Sequence, residues 1–255
     1  MIALVSAKGS PGVTVSALAF TLTWPGRCLL AECDPAGGDV LAGYLRGSLD
    51  GQRGLAQLAV AELRGRLRDE FERQLVDLDA PRRRRLLLPG VRDPAQAATV
   101  APVWPAITEY LTGLEAGLQL GPGDDADPAG ATVIADCGRL TSPHVGWPLL
   151  QAADRVLLVV RGTLPSVAHA VPAVGLLRRE LGERADRLAL LVINTGPYRP
   201  DDVAGRLQVD LAAVLPTDAR TARSLSCGGP VHRRLPLPRA AAAAYPLVQE
   251  VARAV

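Results

Sequence analysis

Apolar positions fall in short, almost unbroken runs, each closed by Gly, Pro, Asp or Asn: residues 2–6, 28–32, 85–88, 131–135, 155–160, 188–193 and 213–215. A strand with one wet face alternates apolar and polar side chains, whereas a strand buried on both faces does not. These runs are of the second kind. Between them the pattern shifts to helical spacing over residues 14–23, 54–78, 94–118, 166–181, 200–207 and 239–254. Strand alternating with helix implies βαβ crossovers, and so a doubly wound α/β fold with a mostly parallel sheet and helices on both faces. No internal repeat and no long linker interrupts the pattern, so a single domain over residues 1–255 is expected.

Two segments fit neither element. Residues 121–130 (GPGDDADPAG), with Asp124, Asp125 and Asp127, read as a solvated acidic loop. The basic run 82–85 reads as a turn before a strand, with an anion patch as the alternative.

Charge and composition narrow the function. With 28 basic and 26 acidic side chains the formal charge is +2, too little to coat nucleic acid by bulk charge. Aromatics are 4% of the chain, so aliphatic side chains must build the core and stacking platforms for single strands are scarce. No run approaches the ~18 apolar residues of a membrane span. The apolar start runs into Lys8-Gly9 with no preceding basic region or cleavage site, unlike a signal peptide. Cys28, Cys33, Cys137 and Cys227 lack C-x-x-C spacing, and His144, His169 and His232 are far apart in sequence. Reduced thiols in a cytoplasmic protein are expected, with no sequence-local metal site or triad.

One compositional bias is sharper. Of the 28 basic residues 27 are Arg; Lys8 is the only Lys and Asn194 the only Asn. Such a bias suggests coding pressure against A/T-rich codons, under which a surviving Lys or Asn marks a position that Arg or Asp could not fill. Lys8 lies in the sequence Ala7-Lys8-Gly9-Ser10-Pro11-Gly12-Val13-Thr14, between the first strand and an apolar helix. A Gly-rich turn at that junction directs amides and a helix dipole at a phosphate, and a Thr in the first helical turn can bind Mg²⁺.

This segment resembles the deviant Walker A loop, K-G-G-x-G-K-[ST], of the ParA/MinD family of partition and cell-division positioning ATPases. Lys8 matches the family's signature lysine, Gly9 and Gly12 its glycines, and Thr14 its magnesium-binding hydroxyl. Further matches follow in order along almost the whole chain. Residues 29–39 (LLAECDPAGGD) resemble the second motif, which would make Asp34 the switch aspartate that positions the attacking water and, with Asp136, orders Mg²⁺. Residues 133–138 (VIADCG) resemble Walker B, with Asp136 holding Mg²⁺ through water. Residues 191–195 (LVINT) resemble the strand whose terminal Asn reads adenine, and 215–218 (LPTD) the late segment beside the nucleoside, placing Asn194, Pro216 and Asp218 around the base. Asn194 continues as Thr195-Gly196-Pro197 rather than as a guanine-reading N-K-x-D, which favours adenine. The single Lys and the single Asn thus both fall on motif positions. Were all 28 basic positions equivalent, a lone Lys would land on the signature site one time in 28.

The resemblance implies bound ATP and Mg²⁺ and a homodimer in which Lys8 reaches the partner's phosphates. Departures from the motif qualify it. Val13 stands where the ordinary P-loop lysine would be, Ser10-Pro11 replaces a flexible pair, and Glu32 takes the place of the first acid of a D-x-D. Losing one charge-assisted contact costs a few kcal/mol, enough to slow hydrolysis roughly 10²- to 10⁴-fold. The expectation is an ATP-binding dimerising switch that organises a larger assembly and hydrolyses slowly. The alternatives are a nucleotide-free scaffold or filament-forming protein and a non-specific DNA-binding partition protein, the latter resting on Arg178, Arg179, Arg233 and Arg234. The C-terminal segment from 239 has only Arg239 and Arg253 as cations and a Pro at 246, a poor lipid anchor.

Overall fold

The computed structural model describes residues 1–9, 12–48, 53–115 and 131–249. Its elements in chain order are β1 (Ile2–Ser6), α1 (Val13–Thr23), β2 (Cys28–Glu32), α2 (Leu55–Glu62), α3 (Leu67–Gln74), β3 (Val76–Asp77), β4 (Arg85–Leu88), α4 (Ala97–Val100) and α5 (Trp104–Glu115). They continue with β5 (Thr132–Arg139), α6 (Trp147–Ala152), β6 (Arg155–Arg161), α7 (Leu164–Leu181), β7 (Leu188–Asn194), α8 (Pro200–Leu207), β8 (Leu211–Pro216), α9 (Ala219–Cys227) and α10 (Pro236–Gln249).

The strands form one eight-stranded sheet in the order β3-β4-β2-β5-β1-β6-β7-β8. Every pairing is parallel except the short edge pair of β3 with β4. The unbroken apolar runs have the expected cause: successive strand residues feed two separate cores. Ala3, Val5, Leu29 and Ala31 pack with side chains of α2 to α8, while Ile2, Leu4, Cys28 and Leu30 pack on the other face with α1, α9 and α10. Both faces are therefore dry, as parallel sheets require.

Four sequence expectations are corrected. The helix expected over 54–78 is broken into α2 and α3 by a turn at Gly65 (φ 66°), and its end is the edge strand β3. The helix expected over 94–118 is interrupted by 3₁₀ turns at Pro94–Gln96 and Ala101–Val103, where Pro94 and Pro102 lack the N–H that a continuous helix needs. Helices α6 and α9 had no sequence assignment, being short and flanked by Gly and Pro. The strand expected over 131–135 runs on to Arg139, four residues past the apolar run, because Asp136 and Cys137 are buried and Gly138 closes its end.

The basic run 82–85 is a staple. Arg85 donates to the carbonyls of Trp24 and Gly26, and Arg84 to that of Pro25, so the run ties β4 to the turn between α1 and β2. Cys28 and Arg85 pair as the first residues of their strands, at the sheet edge remote from the Gly-rich loop. Helix α10 packs on α1 and β8, burying Leu237, Ala241 and Ala244, with Tyr245 edge-on to Trp24 at 4.8 Å. Among the described residues no helix is long and apolar enough to cross a membrane. The acidic segment 121–130, Ser10, Pro11 and the last residues of the expected C-terminal helix lie outside the described residues.

Candidate functional site

Strand β1 lies between β5 and β6, and the chain leaves it toward β2 on one side while β6, β7 and β8 build the other. In an open parallel sheet such a reversal opens a crevice at the carboxyl ends of the strands. Three cavities of about 710, 650 and 250 Å³ meet there.

The largest is floored by the start of α1. Gly12 caps the helix in a left-handed conformation (φ 107°) and Ser16 N–H closes the first turn on the Gly12 carbonyl at 2.9 Å. Gly12, Val13 and Thr14 line the cavity with Asp34, Asp39, Gly138, Arg139 and Arg161. The Ser6 hydroxyl donates to the Gly138 carbonyl at 3.0 Å, tying the loop's root to the end of β5. Val13 is buried in the core beneath α1, so no cation rises from its position.

Asp136 is 2% exposed. Burial raises its carboxyl to about pH 6, against the hydrogen bond offered by the Thr14 hydroxyl and the Gly138 N–H at 3.0 Å. This is a hard-oxygen pair of carboxylate and hydroxyl, and among the described residues Asp136 is in no ion pair. Among the described residues no three His, Cys, Asp or Glu side chains converge as a metal cage. Such a donor set suits Mg²⁺, which keeps waters and takes the rest of its ligands from phosphate, and does not suit zinc.

Glu32 stands in register with Asp136 across β2 and β5 and is 1% exposed. It accepts the Val40 N–H at 2.8 Å and the Gly90 N–H at 3.2 Å, clamping the segment after β2 to the end of β4. Gly38 fits under that clamp only without a side chain, since a Cβ there would lie 2.8 Å from Glu32 Oε2. Burial lifts Glu32 to about pH 7, against the Val40 N–H, and the Asp136 charge lifts it further. Asp34 is half-buried and accepts the Ala36 N–H at 2.8 Å; burial raises its carboxyl, against that N–H and the Arg139 guanidinium. Cys33 and Cys137 are buried beside these acids, and burial pushes both thiols up, away from reactive thiolate.

The second cavity is an outer cleft lined by Lys8, Gly9, Arg139, Arg161, Thr163, Ser166 and His169. Lys8 is exposed, lines this cleft and not the pocket floored by Thr14, and makes no ion pair among the described residues. The third cavity runs from Gly12 and Ser16 to Ile193, Thr195, Pro216 and Asp218. Ile193 and Thr195 line it, while Asn194 between them is exposed and its carbonyl accepts the Thr217 hydroxyl at 2.9 Å. The Asp218 carboxylate caps α9, accepting both the N–H and the hydroxyl of Thr221, which hold its pKa low.

A strand-loop-helix at the centre of this strand order, with Thr14 on the pocket floor backed by the buried Asp136 and a smaller cavity beside it, has close parallels among solved structures. MinD cell division protein from Aquifex aeolicus superposes with a TM-score of 0.71 at 17% identity, covering 100% of this chain and 98% of that one. The chain has the ParA/MinD fold. A ParA family ATPase from Chlorobium tepidum TLS matches at 0.68 and 16% identity, over 95% of each chain. The septum site-determining protein MinD from Pyrococcus horikoshii OT3, in complex with Mg-ADP, matches at 0.66 and 17%, over 99% of this chain and 97% of that one. No family model matches the sequence, and curated proteins show no significant sequence match to it.

Within this ParA/MinD frame the structure brings Gly12, Val13, Thr14, Asp34 and Asp136 together, puts Lys8 and Gly9 on the adjoining cleft, and leaves Asn194 outside the cavity lining. Ser10 lies outside the described residues. Sequence reasoning missed Arg139 and Arg161, which line the pocket floored by Thr14. The only signal was their place as the first basic residues after two central apolar runs. Of the arginines considered for DNA, Arg178 donates to the Gln208 carbonyl and Arg233 reaches that of Leu22.

Proposed function

We propose that the crevice binds a magnesium nucleoside triphosphate, ATP in preference to GTP, and that the chain is an ATP-responsive dimerising switch that positions or organises a larger assembly. The observation carrying this reading is Thr14 on the floor of a cavity opening at the amino end of α1, its hydroxyl bonded to the buried Asp136 carboxylate behind it. Its support from outside the chain is the Mg-ADP held by a structure of the same fold.

In this reading the amides at the start of α1 and Gly12 face the phosphates. Thr14 and Asp136 would hold Mg²⁺, which supplies Lewis-acid charge to the phosphoryl oxygens. Asp34 would orient the attacking water, and Pro216 with Thr195 would flank the base, with Asn194 at its rim. Val13 leaves the loop without its usual cation, so turnover is slow by the roughly 10²- to 10⁴-fold that one lost charge contact implies. Lys8, exposed on the outer cleft, would reach across a dimer to the partner's phosphates. Val13 also favours a second reading, a nucleotide-free scaffold on an ATPase fold.

Thr14→Ala separates the two readings. The switch loses Mg²⁺-dependent ATP affinity at least about tenfold, the scale of one lost ligand contact, measured by calorimetry with and without chelator. The scaffold shows no ATP heat in either protein. Sedimentation of wild type and Lys8→Ala with Mg·ATP checks the dimer: ATP-dependent association is lost in the variant.

A further inference from the structure

The missing P-loop lysine leaves a charge deficit in the cavity, and two arginines face it. Arg139 ends β5 and Arg161 ends β6, the strands on either side of β1. Both are exposed, both line the 710 Å³ pocket with Thr14, and neither is in an ion pair among the described residues. Strand pairing sets their backbone positions, Arg139 against Ser6 and Arg161 against Ile193. The Arg139 guanidinium lies over the Gly-rich loop, its Nη1 3.3 Å from where a Cβ on Gly9 would be. The Arg161 N–H donates to the Ser166 hydroxyl at 2.9 Å, and the next residue, Gly162, packs so closely on the Tyr198 carbonyl that a Cβ would lie 2.4 Å from it.

The two differ in reach. Arg161 lines all three cavities, so it stands between the base cavity and the phosphate pocket. Arg139 lines the phosphate pocket and the outer cleft but not the base cavity, which puts it at the end away from the nucleoside. We propose that Arg139 and Arg161 supply in cis the charge that Val13 cannot, Arg139 at the terminal phosphate and Arg161 at the phosphates nearer the nucleoside. A guanidinium is suited to this because its planar fork gives two parallel hydrogen bonds to phosphate oxygens. The proposal rests on the nucleotide reading above.

The test is calorimetry of Mg·ATP, Mg·ADP and AMP with the full chain as wild type, Arg139→Gln and Arg161→Gln. Arg139→Gln weakens ATP by at least about tenfold and leaves ADP and AMP within about threefold; Arg161→Gln weakens ATP and ADP alike by about tenfold, the scale of one charge-assisted contact. Wild-type affinities in both variants overturn the proposal while leaving nucleotide binding intact. Equal losses for ATP, ADP and AMP in Arg139→Gln overturn the terminal-phosphate assignment. Absence of ATP and ADP binding by folded wild type overturns the nucleotide reading itself, and this inference with it.

Discussion

Glu32 and Asp136 are two carboxyl groups on neighbouring strands, paired in register and withdrawn from water. Each is held above the ordinary carboxylate range mainly by burial, at about 7 and about 6. A carboxyl raised in the folded state stabilises the fold while protonated, fully at pH below the ordinary carboxylate range, and that stability is lost as pH rises toward 7. The ligand-free protein in chelator should therefore unfold at higher denaturant at pH 5 than at pH 8, by roughly 1 to 3 kcal/mol. Glu32→Gln removes one of the two facing charges and should flatten this dependence; a slope as steep as wild type would mean the pair does not set it. At this scale the sequence was legible where residue type was rare: Lys8 stood out against 27 arginines. Arg139 and Arg161 did not, because an exposed Arg in an Arg-rich chain looks like any other until the strand ends place it on a cavity.

At the scale of elements, the buried parallel strands were readable from their continuous apolar runs, and the breaks in the helices were not. The segment 54–78 keeps helical spacing through Gly65, so only the tertiary fold shows the chain turning there and finishing as an edge strand against β4. The end of β5 shows how an element's termination shapes the site. Gly138 has φ 62°, and a Cβ there would lie 2.0 Å from Asp34 Cγ. Gly138→Ala should cost roughly 2 to 4 kcal/mol of stability, combining backbone strain with the displaced Asp34. Gly182→Ala is the control, with φ 57° and open space around it, and should cost only about 1 kcal/mol. Equal losses in thermal melts of the two would show that contact with Asp34 is unimportant. At the other end of the chain, Tyr245→Ala removes the edge-on contact with Trp24 and should loosen α10 by about 1 to 2 kcal/mol, seen as earlier hydrogen exchange in that helix.

For the whole molecule, the strand order puts the Gly-rich turn into α1 at the sheet's reversal point, beside a pocket lined by Asp34, Asp39, Arg139 and Arg161 and with a second, smaller cavity alongside. The sequence motifs anticipated the floor; the walls come from residues far apart in the chain that only the sheet brings together. Lys8 opens onto the outer cleft and not onto the pocket floored by Thr14, the position that the proposed dimer asks of a lysine reaching the partner's phosphates. The most direct test is calorimetric titration of Mg·ATP into the wild-type full chain. The account predicts saturable micromolar binding that weakens sharply in chelator. A folded protein giving no heat with Mg·ATP or Mg·ADP at millimolar nucleotide would contradict it and leave a scaffold built on an ATPase fold.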